Sequence, residues 1–494
     1  MPFLVRQVFF GKKSIFALQS SAIYAIMKAE RRKKDTTLAT KTLRKDFTQG
    51  NISRQLLLFS LPFMASNAMQ VLYSAIDMVI VGEFVGTFGL SAVSQASLIV
   101  NFATMVCLGF SNAGQVLIAQ ALGAGKKKEM SRIMGTLFGF VLALSIVLSG
   151  IILLFCDPIL TAVKIPSEAR DMAREYMIIC ALGLIFTAGY NMVSAVLRGM
   201  GDAKRPFMFI AIASVTNLLL DLLFTGYLGW GVAGAAWATI IGQGVSFIFS
   251  LFYLYRKREA FGFDFAKENF IPDFKYVGMI AKQGVPMAIQ SGFINLSMIV
   301  VNAQINELGV VESAAFGVGV RIDDIINKIS QGVQYAAMPM VSQNIGAGEQ
   351  KRAQKVVHWA WIYSFAMTVF FITMYVLFGK QLFMLFDPDN PAVHAMSGEF
   401  ISAILWMFPA FAIMRGSGAF IQGLGNAKLC MVLALLDGVV LRIGLSWLFG
   451  IGFGWGFFGF VLGYGLAPYG YAVPSLVYFL LGKWKKRRTL AEEM

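Results

Sequence analysis

The chain has 494 residues, of which 57% are hydrophobic and only 14% charged. Soluble domains average about 45–50% apolar and about 25% charged residues, and a soluble surface this apolar would aggregate. The composition therefore excludes an ordinary soluble enzyme and predicts an all-α polytopic membrane protein. The formal charge of +15 is compatible with nucleic-acid binding or with basic loops on one face of a membrane.

Residues 1–50 form a basic arm that precedes the first long apolar segment. The apolar stretch within it, 14–27, is shorter than the roughly 20 residues that a membrane-spanning helix needs. A basic cluster at 31–34 follows it rather than a small-residue cleavage site, so a signal peptide is not predicted. We expect a disordered or surface-lying cytoplasmic arm, and a translation start at Met27 remains an alternative.

Twelve apolar segments follow, each long enough to cross a bilayer. Six belong to an N-terminal lobe at 51–256 and six to a C-terminal lobe at 277–482. A charged loop at 257–276 separates the lobes, and a basic tail at 483–494 follows them. The predicted spans are 55–82, 90–118, 132–156, 174–197, 207–228, 232–255, 278–306, 312–340, 355–378, 399–424, 430–449 and 456–481.

The basic residues give this topology an orientation. An even number of spans places both termini on one side, and 34 of the 42 Lys and Arg residues fall on that side or in its loops. Only four fall on the opposite side, and the remaining four lie within spans. Such a bias predicts cytoplasmic termini in the inner cell membrane and explains the net charge without nucleic acid.

The two predicted lobes are related by an internal repeat. Residues 109–125 match 332–348, and 198–204 match 422–428, at shifts of 223 and 224. The segment after residue 229 matches the segment after residue 454, at a shift of 225. Six spans per repeat give both lobes the same orientation, so we expect a two-fold axis along the membrane normal with a substrate cavity between them.

Ionisable side chains within spans are expensive and therefore functional candidates. In the N-terminal lobe, Asp77, Asp221 and Thr239 are all predicted within about two turns of the non-cytoplasmic ends of their helices. Asn217 shares a helix face with Asp221. Their oxygens suit a small cation, and two carboxylates in a low dielectric do not readily ionise together, so a shared proton is the alternative.

Polar stripes on the first and seventh spans are candidate linings of the substrate cavity. A lipid-facing surface would not carry them, although hydrogen bonds between helices are an alternative explanation. Pro62 interrupts the hydrogen bonding of the first span and is a candidate hinge, or a fixed bend. The cavity candidates are Asn67, Gln70 and Ser74 on the first span, and Ser291 and Asn295 on the seventh.

The C-terminal lobe carries charges of both signs within its spans. Their spacing favours a structural ion-pair network, and a place in the substrate path or a central gate is the alternative. The four cysteines form no CxxC pair, and only two histidines are present, so neither a metal centre nor a histidine-based active site is expected. The intramembrane charges are Arg321, Asp323, Asp324, Lys328, Arg415, Asp437 and Arg442.

These features together resemble the multidrug and toxic compound extrusion (MATE) family of secondary transporters, in particular its bacterial DNA-damage-inducible type. The resemblance extends over about residues 51–484. Its most specific segments are IDMVIVG at 76–82, QALGAG at 120–125 with its twin from Gln343, LRGMGDAKRP at 197–206, and NLLLD at 217–221, which leads to Gly231, Gly234, Ala235, Ala236 and Thr239.

The resemblance implies a V-shaped pair of six-helix lobes that exports amphipathic, often cationic, small molecules in exchange for Na⁺ or H⁺. It assigns the cation site to Asp77, Asn217, Asp221 and Thr239, and a bend of the first helix to Pro62. A second branch of the family places carboxylates on the seventh and tenth helices. This sequence matches that branch poorly, because its seventh span has no carboxylate before Glu307.

Two other classes of function compete with an efflux antiporter. A flippase for lipid-linked sugars would need a strongly cationic cavity, which the C-terminal arginines and Lys328 supply only in part. A membrane-embedded enzyme would need a nucleophile or metal motif, and none is recognisable. We expect a non-enzymatic antiporter, acting as a monomer on amphipathic small molecules, without a cofactor beyond the coupling ion and without nucleic acid.

Overall fold

The computed structural model describes residues 45–163, 165–263, 265–387 and 389–494. Within these ranges the chain is helical and contains no β-strand. Most of the predicted N-terminal arm, residues 1–44, lies outside the described residues. Its last part, 45–50, is described and packs against the helices, with Phe47 fully buried.

The N-terminal lobe contains six long helices, which we label α1 to α6. Asn51 caps α1 by accepting a hydrogen bond from the backbone N–H of Arg54, and α1 continues past Pro62 without interruption. Each helix is long enough to cross a bilayer. They are α1 Ile52–Val85, α2 Thr87–Gly123, α3 Lys127–Leu154, α4 Ser167–Gly199, α5 Lys204–Tyr227 and α6 Gly231–Arg256.

Six further spans, α7 to α12, form the C-terminal lobe. The tenth is bent by 48° between its two helical parts, and the twelfth is interrupted at Ala467 and Pro468. They are α7 Phe274–Asn306, α8 Val310–Gly346, α9 Gln350–Phe386, α10 Pro391–Ile404 with Met407–Gly423, α11 Ala427–Gly452, and α12 Gly456–Leu466 with Tyr469–Leu480.

Nine of these helices are both long and apolar enough to span a membrane, and the bent α10 makes a tenth, within the described residues. The other two are α8, which carries several charges, and α12, whose two parts are each short. Short helices that the sequence did not predict lie between spans or after the last span. They are Cys156–Ala162, Arg258–Phe261, Lys267–Phe270, Lys483–Lys486 and Leu490–Glu493.

The structure repeats the sequence symmetry at equivalent turns. Gly125 and Gly348 both adopt positive φ, 71° and 77°, as do Gly201 and Gly425 at 84° and 74°. Side chains larger than glycine rarely adopt this backbone conformation, so glycine recurs at each turn. The repeated glycines therefore form the turns that connect the helices.

The lobes meet through α1 and α2 on one side and α7 and α8 on the other. We call the membrane face that carries residues 45–51 and 481–494 the terminal face. On its side of the membrane, Gly109 packs against the backbone of Ala288, and Gly332 packs against the backbone of Met64. A β-carbon on either glycine would come within 3 Å of that backbone, so glycine permits the close approach.

Toward the opposite face the lobes separate. Asp324 and Lys328 on α8 expose about half of their side chains, 51% and 48%, and Arg321 lies exposed one turn before them. Charged side chains do not face lipid tails, so this side of α8 lines the cleft between the lobes. The structure therefore has the two-lobed fold, closed at the terminal face and open at the other.

Candidate cation site

The candidate cation site lies inside the N-terminal lobe, where α1, α5 and α6 converge. Asp77 on α1 and Asp221 on α5 approach closely enough for their carboxyl groups to interact directly. Asp221 is almost completely buried, with 1% of its surface exposed, and Asn217 is buried one turn before it. The structure thus brings together the two carboxylates that the sequence places 144 positions apart.

Glycine sets the distance between α5 and α6. A β-carbon at Gly242 would lie 2.8 Å from the carbonyl oxygen of Ala213 and 3.2 Å from Asn217 Cβ. This close approach lets Asn217 Nδ2 donate a 3.3 Å hydrogen bond to Thr239 Oγ1. The four residues predicted for the cation site therefore form one group.

Three carboxylate oxygens of this group are not satisfied by the protein. Both carboxylate oxygens of Asp221 and Oδ1 of Asp77 are buried, and none has a hydrogen bond of ordinary geometry within the described residues. A buried carboxylate without a partner is strongly unfavourable. The group therefore has the chemistry to take up a proton or a small cation.

Two neighbours extend the site beyond the sequence prediction. Ser214 Oγ and Gln243 Oε1 are also buried without a hydrogen-bond partner among the described residues. Both line a cavity of about 10 Å³, together with Asn217 and Thr239, which is close to the space that one water molecule needs. Helical spacing could have found them, since Ser214 precedes Asn217 by three positions and Gln243 follows Thr239 by four.

Aromatic side chains enclose the carboxylates. Tyr73, one turn before Asp77, lies near both carboxyl groups. Tyr176 and Cys180 on α4 are buried on the side of Asp77. These groups make the surroundings of the pair less polar than water, which strengthens any charge interaction inside it.

The predicted cavity-lining residues have different positions. Gln70 lines the 10 Å³ cavity together with Asn217 and Thr239. Asn67 Nδ2 donates a 2.6 Å hydrogen bond across the lobe interface to the carbonyl oxygen of Lys328. Ser74 is exposed, and Asn295 donates to the carbonyl oxygen of Ser291, 2.9 Å away.

The charges of the C-terminal lobe do not form one network. Lys328 pairs with Asp324 at 2.7 Å, whereas Asp323 is buried and accepts a 2.6 Å hydrogen bond from the Tyr375 hydroxyl. Arg415 is buried and donates to the amide oxygens of Gln334 and Asn327 rather than to a carboxylate. The predicted ion-pair network is thus present only as separate pairs.

At the position equivalent to the cation site, the C-terminal lobe carries its own positive charge. The stacked pair Phe224–Trp230 recurs as Phe449–Trp455, which fixes the repeat shift here at 225. That shift places Arg442 at the position of Asn217. Its guanidinium donates to Asp437 at 3.0 Å and lies over a tyrosine ring, so the charge is both buried and neutralised.

The MatE family model matches residues 62–223 and 286–448, one match in each lobe. The chain therefore belongs to the MatE family of membrane transporters. It is 31% identical over 448 residues to the probable multidrug resistance protein YpnP of Bacillus subtilis (strain 168), covering 91% of this chain and 99% of that protein. It is 23% identical to the probable multidrug resistance protein NorM of Thermotoga maritima, covering 90% and 95%.

Solved structures show the same fold. An outward-facing multidrug resistance MATE family transporter of the MOP superfamily matches at a TM-score of 0.80 and 22% identity, covering 90% of this chain and 98% of that one. A MATE protein in its straight conformation matches at a TM-score of 0.81 and 22% identity, covering 89% and 98%. The two six-helix lobes are thus a MATE fold, as predicted.

Proposed function

We propose that this protein is a multidrug efflux antiporter whose coupling ion, Na⁺ or H⁺, binds at Asp77, Asn217, Asp221 and Thr239. The single observation that carries this assignment is the carboxylate pair, three of whose four oxygens are buried without a hydrogen-bond partner among the described residues. The multidrug-resistance names of the similar proteins support export of amphipathic small molecules, and favour it over the flippase alternative.

The coupling follows from where α1 contacts its neighbours. Asp77 belongs to the ion site, and Asn67 on the same helix bonds to the backbone of α8 in the other lobe. An ion or proton between Asp77 and Asp221 removes their mutual repulsion and draws α1 toward α5. Because α1 also forms the lobe interface, ion binding favours one lobe arrangement and substrate the other, so that each drives release of the other.

Pro62 supplies a point at which α1 can bend. Proline removes the backbone hydrogen bond to the preceding turn, and here Ser66 Oγ donates to the Pro62 carbonyl oxygen at 2.8 Å. The proposed hinge lies between residues 45–51 at the terminal face and Asp77 in the other half of the helix. Neutralisation of Asp77 would thus alter the cleft-facing part of α1 alone.

We place the protein in the inner cell membrane with the terminal face toward the cytoplasm, because the topology predicted from the sequence assigns 34 Lys and Arg residues to that side and four to the other. The open cleft then faces outward. We further propose that the protein acts as a monomer, without a cofactor, enzymatic activity or nucleic-acid partner. The basic tail 483–494 is its cytoplasmic end.

The test is transport in proteoliposomes with an imposed Na⁺ or pH gradient and a panel of fluorescent amphipathic cations. Asp77→Asn and Asp221→Asn should abolish gradient-driven transport while the proteins still insert and bind substrate. Asp157→Asn is the control, since its exposed carboxylate pairs with Arg174 at 3.2 Å on the short helix Cys156–Ala162, apart from the ion site and the cleft. Full gradient-driven transport by both site variants would refute the carboxylate assignment.

A further inference from the structure

Two glutamines at the terminal face occupy corresponding positions of the repeat. Gln120 lies near the end of α2 in the N-terminal lobe, and Gln343 lies near the end of α8 in the C-terminal lobe. Both side chains are completely buried, with at most 1% of their surface exposed. A buried primary amide needs partners for its donor and its acceptor atoms, so its neighbours are informative.

Each glutamine donates its amide to the opposite lobe. Gln120 Nε2 donates to the carbonyl oxygen of Gly423 on α10 at 2.8 Å. Gln343 Nε2 donates to the carbonyl oxygen of Gly199 on α4 at 3.2 Å. Gly199 and Gly423 are themselves equivalent in the repeat, so the two hydrogen bonds are related by the two-fold symmetry and both cross between lobes.

Glycines bring the lobes together at this point. A β-carbon on Gly123 would collide with the carbonyl oxygen of Gln343, and one on Gly346 would collide with that of Gln120. The ends of α2 and α8 therefore pack backbone to backbone, and each glutamine bonds directly to its partner. The motif repeated at 120–125 and 343–348 forms the closed seam between the lobes.

The segment that precedes α1 hydrogen-bonds to the side-chain oxygen of Gln343. Phe47 N donates to Gln343 Oε1 at 3.2 Å, and Phe47 O accepts from Arg352 Nε at 2.8 Å, so both bonds join it to the C-terminal lobe. The Phe47 ring packs on Phe59 of α1 in the N-terminal lobe, with ring centroids 4.9 Å apart. This segment therefore spans both lobes.

The C-terminal tail hydrogen-bonds to the side-chain oxygen of Gln120. Ala491 N donates to Gln120 Oε1 at 3.3 Å, and Ala491 O accepts from Lys126 Nζ at 2.8 Å, so both bonds join it to the N-terminal lobe. The same tail contacts the C-terminal lobe through Lys282, which lies 3.4 Å from Glu493, and through Leu490, which packs against Gly425. The tail therefore also spans both lobes.

We propose that Gln120 and Gln343 are the paired residues of a gate at the terminal face, and that segments 45–50 and 489–494 hold this gate closed. Opening of the cleft toward the terminal face must separate α2 from α10 and α8 from α4, and so must break both cross-lobe bonds. The two segments must each leave one lobe at the same step. For the gate to open, ion and substrate binding must therefore supply the free energy to break these contacts.

The gate can be tested without reference to ion or substrate. Ala336 is fully buried on the α8 face that carries Gly332 and Gln343, at spacings of four and seven, so a cysteine there reports on opening of the seam. The full-length Ala336→Cys protein in lipid nanodiscs is labelled with a polar maleimide, and the parent chain, whose four cysteines are buried, gives the background. The labelling rate is then compared among gate variants.

Gln120→Ala and Gln343→Ala should each raise the labelling rate about two- to tenfold, as expected for the loss of one net hydrogen bond between the lobes. The matched control is Gln283→Ala. Gln283 is equally buried, but it accepts a hydrogen bond from Ala427 N within its own lobe, so its loss should leave the rate unchanged.

Deletion of 489–494 tests the tail separately and keeps Trp484 in its buried position. It should raise labelling by itself and raise it further in Gln120→Ala. The glutamine variant removes the bond to Gly423, whereas the deletion also removes the contacts of Glu493 and Leu490 with the C-terminal lobe. Unchanged labelling in both glutamine variants, or an equal increase in Gln283→Ala, would overturn the proposal. If the alanine variants do not insert, the deletion decides, and an unchanged rate in it refutes the proposal.

Discussion

Replacement of Asp221 by asparagine is the sharpest test of the ion site. The substitution keeps the size of the side chain and removes one of the two charges that face a bound cation. At a separation of about 4 Å and an effective dielectric constant of about 20, one carboxylate contributes about 4 kcal/mol of attraction. Since each 1.4 kcal/mol is tenfold, Asp221→Asn should weaken ion binding about 10³-fold.

This loss is measurable as a loss of ion-dependent stability. An ion at 100 times its Kd stabilises the folded protein by about 2.7 kcal/mol, whereas at one tenth of its Kd it contributes less than about 0.1 kcal/mol. Purified protein is unfolded by heat at increasing Na⁺ concentration and constant ionic strength. The unfolding temperature of the wild type should therefore rise with Na⁺, and that of Asp221→Asn should not. If protons are the coupling ion, steps in pH replace the Na⁺ titration.

The control for this titration is Asp324→Asn, whose carboxylate is exposed in the cleft and pairs with Lys328. It should retain the ion response of the wild type. Lowering the pH should weaken the Na⁺ response of the wild type, because protons compete for the same carboxylates. An Asp221→Asn protein that keeps the full response would show that the ion binds elsewhere, and the carboxylate pair would lose its proposed role.

Three further predictions concern the parts around the site. Gly242→Ala should push α5 away from α6, lower the free energy of unfolding by about 1–3 kcal/mol and abolish the ion response in the same unfolding assay. The control is Gly244→Ala, where a β-carbon comes no nearer than 3.7 Å to Phe186, and this variant should keep both the stability and the ion response. Arg442→Gln should lower the free energy of unfolding by about 3–5 kcal/mol, since it leaves Asp437 buried and unpaired, and adding Asp437→Asn should restore much of the loss. Burial raises the pKa of Asp202, in the turn before α5, despite the opposing effect of Arg205. A carboxyl with a raised pKa in the folded state costs stability above that pKa, so the wild type should gain stability relative to Asp202→Asn as the pH falls, and a constant difference between their pH profiles would contradict this.

The sequence predicts the fold well because the membrane imposes simple rules on it. Length and apolarity mark twelve spans, since every backbone polar group in lipid must be satisfied within a helix. The repeat at 109–125 and 332–348 then gives the two lobes, and the glycines in it become the turns between helices. The short helices between spans were not predicted, because an amphipathic segment such as Cys156–Ala162 has no such length or composition signal.

Local spacing and topology predicted which residues form the ion site, but not the contacts between helices that bring them together. Depth along the spans indicated that Asp77, Asp221 and Thr239 share a layer. Whether they touch depends on how closely α5 and α6 pack, and this is set by Gly242, whose role appears only in three dimensions. Likewise, Gln120 and Gln343 were recognised as a repeated motif, but their partners on the other lobe and in the terminal segments have no signal in the sequence.

The two lobes differ in α11, whose segment between the flanking turns is one residue longer than that of its counterpart α5. The turns before α5 and α11 correspond at a shift of 224, from Gly201 to Gly425, but the turns after them correspond at 225, from Gly229 to Gly454. A π-helical segment at Leu436–Ile443 absorbs the extra residue, because its hydrogen bonds reach one position further than those of an α-helix.

This insertion turns the C-terminal copy of the site into a different kind of site. At the shift of 225 that holds after this segment, Arg442 corresponds to Asn217 of α5, and Ser446 corresponds to Asp221. The C-terminal lobe then carries a covalently attached cation, neutralised by Asp437 within the same helix. The charge at this position is therefore fixed, whereas the carboxylate pair of the N-terminal lobe has the chemistry to take up a proton or a small cation, so equivalent positions of one fold differ between the lobes.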